Sequence, residues 1–171
     1  MTFESAEEER AERNRALGLP GAVQLAPIWR RGLGQLIDQL VVLAPVGLVA
    51  VMLGIRSFDA VGKRTFAITV AGVCVAFVYQ FVMIGLFGRT VGKFVLGTRA
   101  VRVDTGGRVP WPNAAIRALV PLSAGVIPKF GSVLTLIVYV NALFDRRRQG
   151  WHDKAAGTIV VMHGFLYTPS T

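Results

Sequence analysis

The chain is 171 residues long, 53% apolar and only 17% charged, a balance foreign to a soluble domain of this length and suited to one membrane-embedded domain. Its formal charge of +9 would suggest nucleic acid in a soluble protein. Here the Lys and Arg residues border the apolar runs, where anionic lipid headgroups are their natural partners, so nucleic acid is set aside as a partner.

Residues 1–26 read as a polar, flexible extension. Glu9 and Arg13, four residues apart, support a short surface helix, which "GLPGAVQLAP" then ends with Gly and Pro. No apolar segment precedes Leu33, so no cleaved signal peptide is expected and the first span is expected to target the chain itself. The membrane domain is expected over residues 27–163, with a short tail over 164–171. Trp29, Arg30 and Arg31 mark an anchor at headgroup level.

Leu33 to Ile55 carries one charged side chain, Asp38, and Thr65 to Phe87 carries none. Each exceeds the roughly 20 residues that cross a hydrocarbon core as a helix, so both are predicted transmembrane helices, joined by the loop "RSFDAVGKR". A lone cysteine, Cys74, inside the second run excludes a disulfide framework and a thiolate metal cluster.

A polar segment with structure of its own follows. Thr90 to Leu96 predicts one or two amphipathic turns closed by Gly97. "TRAVRV" alternates apolar and polar residues and "DTGG" supplies a turn before "RVPW", which predicts a small β-hairpin at the membrane surface. Asn113 is placed to cap the next helix.

The third apolar region, Ala114 to Phe144, is interrupted by Arg117, Pro121, Pro128, Lys129 and Gly131. A straight span would put Lys129 near the bilayer centre, at a cost of roughly 2.5–3.5 kcal/mol. Basic residues favour the cytoplasmic side, and they occur at Arg30 and Arg31, throughout 88–117, and again at Arg146 to Arg148. Only an even number of passes through the third region puts all of them on one side. The region is therefore read as a helix over about 113–126, a turn at "IPKFG", and a second helix over 131–144, crossing twice or re-entrant, with both termini cytoplasmic. "GTIVVM", Gly157 to Met162, is a short β-branched strand that needs a partner, and the edge of "TRAVRV" is available. The fold class is thus an all-α membrane protein: a small helical bundle of two clear spans and a broken third apolar region, with a small cytoplasmic β element.

Three motifs bear on chemistry. "GRTVGKFVLG" resembles a phosphate loop superficially, but only three residues separate Gly88 from Gly92, and Phe94 stands where a magnesium-binding hydroxyl is required. "WHDK" would need further His and Asp ligands to hold a metal, and the chain has only two histidines, His152 and His163. A capping role for Asp153, with Gly157 ending the turn, explains these residues more simply. No catalytic triad or carboxylate pair is readable, so no enzyme activity, metal or cofactor is expected. Asp38 is the most informative position, because an acid inside a span marks a buried ion pair or an ion pathway. Arg31, seven residues earlier, leans away toward the headgroups. Arg117 is the better-placed partner, with Asn141 a further candidate. A buried Asp38–Arg117 pair that locks the helices together is weighed against a proton- or cation-binding carboxylate, and the lack of a second intramembrane acid favours the pair.

Taken together, "WRRGLGQLID", "GRTVGKFVLGTRAVRVDTGGR", "AIRAL" and "FDRRRQGWHDKAAGTIVV" resemble, in order, the motifs of the RDD family of bacterial membrane proteins. The family is named for one arginine and two aspartates. The resemblance implies a multi-pass inner-membrane protein whose polar motifs face the cytoplasm. It singles out Arg31, Asp38, Arg117 and His152, with either Asp145 or Asp153 as the second aspartate (Asp153 preferred), and the central motif Gly88, Thr90, Gly92 and Lys93. It implies a role in transport of an ion or small solute. The competing expectation is a non-catalytic accessory or assembly subunit that binds another membrane protein, a second copy or anionic lipid.

Overall fold

The computed structural model of the protein describes residues 3–19, 23–52, 54, 63–125 and 137–164. Most of the 56–64 loop, the 127–131 turn with Lys129, and the tail beyond Gly164 lie outside the described residues. A first helix, α1 (Phe3–Ala16), carries the Glu9–Arg13 ion pair at 3.0 Å. Two long helices follow, α2 (Ile28–Met52) and α3 (Lys63–Phe87). At 1.5 Å per residue, the 25 residues of each extend about 37 Å, more than a hydrocarbon core. All of α2, and Val70–Phe87 within α3, are long and apolar enough to cross a membrane.

α2 begins before the predicted Leu33. Pro27 precedes its first turn, accepting the Arg31 N–H at 3.3 Å, and proline is well suited to a helix start because it has no N–H to leave unpaired. Trp29, Arg30 and Arg31 therefore sit on the helix itself. At the same end of the pair, Gly88 closes α3 with φ +68, a left-handed conformation that glycine adopts without Cβ strain. The chain then turns into α4 (Val91–Val95) and β1 (Thr98–Arg102). The predicted amphipathic turns and their glycine stop are thus present.

The predicted hairpin is not. The "DTGG" turn forms, with the Arg102 N–H bonded to the Gly107 carbonyl at 3.0 Å, but residues 108–110 make no strand. Pro110 has no N–H to donate to a ladder, and the Arg108 guanidinium is turned back onto the Gly85 carbonyl at 2.7 and 3.0 Å. β1 instead pairs with the C-terminal strand β2 (Thr158–Met162), antiparallel, with Thr98 opposite Met162 and Arg102 opposite Thr158. The free edge of β2 receives residues 24–26: Leu25 bridges Val161, the Ala26 N–H reaches the Val160 carbonyl at 2.9 Å and the Met162 N–H reaches the Gln24 carbonyl at 2.8 Å. Leu19 and Val23 bury against Val101, Ile159 and Val161, so the end of the N-terminal extension packs on the sheet.

Helix α5 (Trp111–Gly125) starts at Trp111 with Pro112 in its first turn. Asn113 consequently lies inside the helix rather than capping it, and its amide donates to the Ala156 carbonyl at 2.9 Å. α5 packs along α3 through Ile84, Val109 and Ala114, with the Trp111 and Phe81 rings 5.0 Å apart. Residues 137–140 are helical and run into a 3-10 turn, Asn141–Leu143. The short helix α6 (Trp151–Ala155) precedes β2.

Helices α4 and α2 approach each other closely, backbone to backbone. A Cβ built on Gly92 would collide with the Gly34 carbonyl, whereas one built on Gly34 would meet Gly92 at 3.4 Å, an ordinary contact distance, so it is Gly92 that has to be glycine for the two backbones to touch. Gly92→Ala is expected to lower unfolding stability by about 1–3 kcal/mol through overpacking, measured by thermal or denaturant unfolding in detergent. Gly47→Ala, where a Cβ would meet nothing within 4 Å, should leave stability unchanged or raise it by up to about 1 kcal/mol; equal losses in the two variants would count against the contact.

Candidate functional site

Asp38 is 3% exposed on the α2 face that meets α4. Its Oδ1 accepts the Tyr79 hydroxyl at 2.7 Å and the Gly92 N–H at 2.8 Å, and its Oδ2 accepts the Thr90 hydroxyl at 2.5 Å. The Lys93 ammonium lies 3.6 Å from Oδ2 and donates to Thr90 Oγ1 at 3.2 Å. Tyr79 in turn accepts the Val91 N–H at 2.9 Å. The N-terminal turn of α4 is thus fastened to one carboxylate, which the Gly34–Gly92 contact makes geometrically possible. Burial pulls the Lys93 amine down to about 8, with the Asp38 carboxylate opposing that shift.

This arrangement corrects the expected Asp38–Arg117 pair. Arg117, on α5, faces α6 and β2 instead. Its guanidinium bonds Asp153 Oδ1 and donates to Thr158 Oγ1 at 2.6 Å. Arg31 is likewise not free to reach headgroups; it bonds Asp153 Oδ2 and the Arg148 carbonyl. Asp153 is fully buried and also accepts the Gly150 N–H at 3.2 Å. That contact closes the first turn of α6 as the expected cap, although from the third helical position. Gly157, with φ +58, follows the helix. Burial alone would raise the Asp153 carboxyl, but Arg117 and Arg31 hold it well below the usual carboxylate range.

Asp145 stands apart from this cluster. It accepts the Arg147 and Gln149 N–H groups at 3.0 and 2.9 Å and pairs with Lys154 at 2.7 Å, pinning the loop before α6. Burial works against its ionisation, but the Lys154 hydrogen bond and those backbone donors keep its carboxyl below the usual range. His152 packs its ring 4.7 Å from that of Tyr139, with Nε2 3.5 Å from Asp153 Oδ1. Burial pulls its imidazole down to about 3, with Asp153 opposing and Arg117 and Arg31 adding to the fall. Among the described residues no three His, Cys, Asp or Glu side chains group as a metal site.

Beside Asp38, between α2, α3 and α5, lies a cavity of about 280 Å³ whose polar lining is Gln35, Asp38, Gln39, Tyr79, Gln80 and Tyr139. A second, more apolar cavity of about 360 Å³ shares Gln35 and Tyr139 and extends to Arg31 and His152. The glutamines and tyrosines were not singled out from the sequence. Gln35 and Gln39 flank Asp38 at helical spacing on the same face as Arg31, a stripe of polar residues inside an apolar run, and that was the available signal.

The two long apolar helices, joined by the Tyr79–Asp38 hydrogen bond at the end where buried Asp–Arg and Asp–Lys contacts and a small sheet gather, define a class of helical membrane protein. Residues 25–157 match the RDD family, and the chain belongs to it. Over 107 residues it is 33% identical to the uncharacterized membrane protein YteJ of Bacillus subtilis (strain 168), a match covering 62% of this chain and 60% of that protein. The match therefore spans less than two thirds of that relative's length. No solved structure matches the chain.

Two predictions follow from the buried charges. Asp153→Asn leaves two guanidinium groups without their shared anion and should cost about 3–5 kcal/mol, whereas Asp145→Asn should cost about 1 kcal/mol. Denaturant unfolding of both variants checks the contrast, and comparable losses would displace Asp153 from its central place. Because the folded His152 stays neutral down to about 3, the unfolded chain takes up its proton first as pH falls below its ordinary value near 6.5. That contribution is therefore fully present above 6.5 and is lost toward pH 3, at up to about 1.4 kcal/mol per pH unit. Unfolding midpoints measured from pH 7 to 5 should fall in the native chain, and the fall should flatten in His152→Phe.

Proposed function

We propose that the protein acts in transport of an ion or small solute across the bacterial inner membrane, as a multi-pass protein with its sheet and both termini cytoplasmic. The observation that carries this reading is the amide-lined cavity beside Asp38, placed within two membrane-length helices. Polar side chains are costly in hydrocarbon and tend to mark a solute or ion path. Arg30, Arg31, Arg89, Lys93, Arg99, Arg102, Arg117 and Arg146 to Arg148 all belong to the end of the molecule that carries the sheet, which supports the orientation through the preference of basic residues for the cytoplasm. No catalytic role is assigned to any residue.

The second reading, an accessory or assembly subunit, is favoured by the saturation of both buried carboxylates. It is also favoured by the exposed Trp29, Phe94, Trp111, Phe144 and Trp151 on the elements around the sheet, which suit an interfacial lipid or protein partner. Ala76→Phe separates the two readings, because Ala76 lines the cavity and takes no part in the ion pairs. Purified protein in vesicles should move at least one of labelled sodium, chloride, glycerol or urea, and Ala76→Phe should abolish that flux at unchanged membrane abundance. If no probe moves and a stoichiometric membrane partner co-purifies, the accessory reading replaces transport.

A further inference from the structure

The charge balance around the cavity narrows its ligand class, an inference that rests on the transport reading. Asp38 is the one ionised side chain in the described lining, and it is already spent. Two donors reach its Oδ1, the Thr90 hydroxyl reaches its Oδ2, and Lys93 balances its charge. A cation entering the cavity would have to displace Lys93 from Asp38. The neighbouring cluster of Arg31 and Arg117 about the single carboxylate of Asp153 keeps a net positive charge, which further disfavours an added cation. An anion gains little, because no Lys or Arg side chain lines the cavity. Either ion would give up its water for neutral dipoles alone, which is unfavourable in a site of low dielectric.

The groups left for a ligand are neutral. Gln35 and Gln39 have no hydrogen-bond partner among the described residues, and their four-residue spacing puts both amides on one helix face, Cβ atoms about 6 Å apart. Gln80 is bonded to Tyr139 and adds a third amide to a lining that is otherwise largely apolar, with Val42, Leu43 and Val73 among its residues. Paired amides offer both donors and acceptors, which hydroxyl and amide groups of a small solute satisfy together. At about 280 Å³ the cavity has room for a short polyol or a urea-like amide.

We propose that this cavity binds and passes a small uncharged polar solute of the polyol or amide type, with Gln35 and Gln39 as its hydrogen-bonding residues. The test reconstitutes the full chain in phosphatidylethanolamine–phosphatidylglycerol vesicles and measures uptake of labelled glycerol, urea, sodium and chloride. Glycerol or urea uptake should exceed that of empty vesicles about tenfold, and Gln35→Leu and Gln39→Leu should each reduce it about tenfold, the scale of one lost hydrogen bond, while both ions stay at the empty-vesicle level. Helicity and unfolding temperature, unchanged in both variants, separate a lost contact from a lost fold. Sodium or chloride uptake with glycerol and urea at background overturns the uncharged class and leaves transport standing. Uptake of glycerol or urea that both leucine variants retain overturns the assignment of these glutamines. All four probes at background overturn the transport reading, and this inference with it.

Discussion

Asp153 carries one negative charge into a fully buried position and meets there two guanidinium groups from elements far apart in sequence, Arg31 on α2 and Arg117 on α5. A single carboxylate between two cations has little slack, because withdrawing it strands both of them in a medium that screens charge poorly. The geometry of α6 follows from that demand: Gly150 donates its N–H to the same carboxylate, and a Cβ on Gly150 would collide with the His152 ring and the Val138 carbonyl. Thr158, which receives Arg117 at the start of β2, extends the constraint into the sheet. Helices α2 and α5, the short α6 and the strand β2 are thereby held at one point.

The Asp38 cluster is a second, smaller version of the same arrangement, in which neutral donors do most of the work. Tyr79, Thr90 and the Gly92 N–H saturate the acid, and Lys93 supplies the countercharge. The two clusters are neighbours, since Lys93 feels Arg117, Asp153 and Arg31 as well as Asp38. Movement of α4 would therefore change the field at the Asp153 cluster, and an opening of α6 would change it at Lys93. The cavity beside Asp38 sits against the first cluster and the still more apolar one reaches the second, with Gln35 and Tyr139 common to both.

Features set by local pattern were legible in the sequence. The two apolar runs, the Gly-closed turn of α4, the Glu9–Arg13 pair and the pairing of "GTIVVM" with "TRAVRV" each follow from periodicity, spacing or the need of a lone strand for a partner. What was missed depended on three-dimensional placement. The partner of Asp38 could not be read because it is delivered by a backbone contact between Gly34 and Gly92, and two glycines carry no mark of whom they touch. "RVPW" carries strand-like residues and so suggests a hairpin, while Pro110 and the bond from Arg108 to Gly85 decide against it. Asn113 has the composition of a cap, yet Trp111 and Pro112 start the helix earlier and leave its amide to α6. Arg31 reads as a lipid-facing residue because nothing in its neighbourhood in sequence announces Asp153.

The pairing of β1 with β2 also sets an order of events during synthesis. β1 leaves the ribosome some 60 residues ahead of its partner, so its ladder groups remain open while α5 and the third apolar region are still being made. Residues 24–26 wait longer still, because their partner is the far edge of that same last strand. The sheet, the anion for Arg31 and the anion for Arg117 arrive together in the final stretch of the described chain. A chain stopped before Gly150 would present two uncompensated arginines and an unpaired strand edge at once, the kind of exposed surface by which quality-control proteases and chaperones distinguish unfinished chains from finished ones.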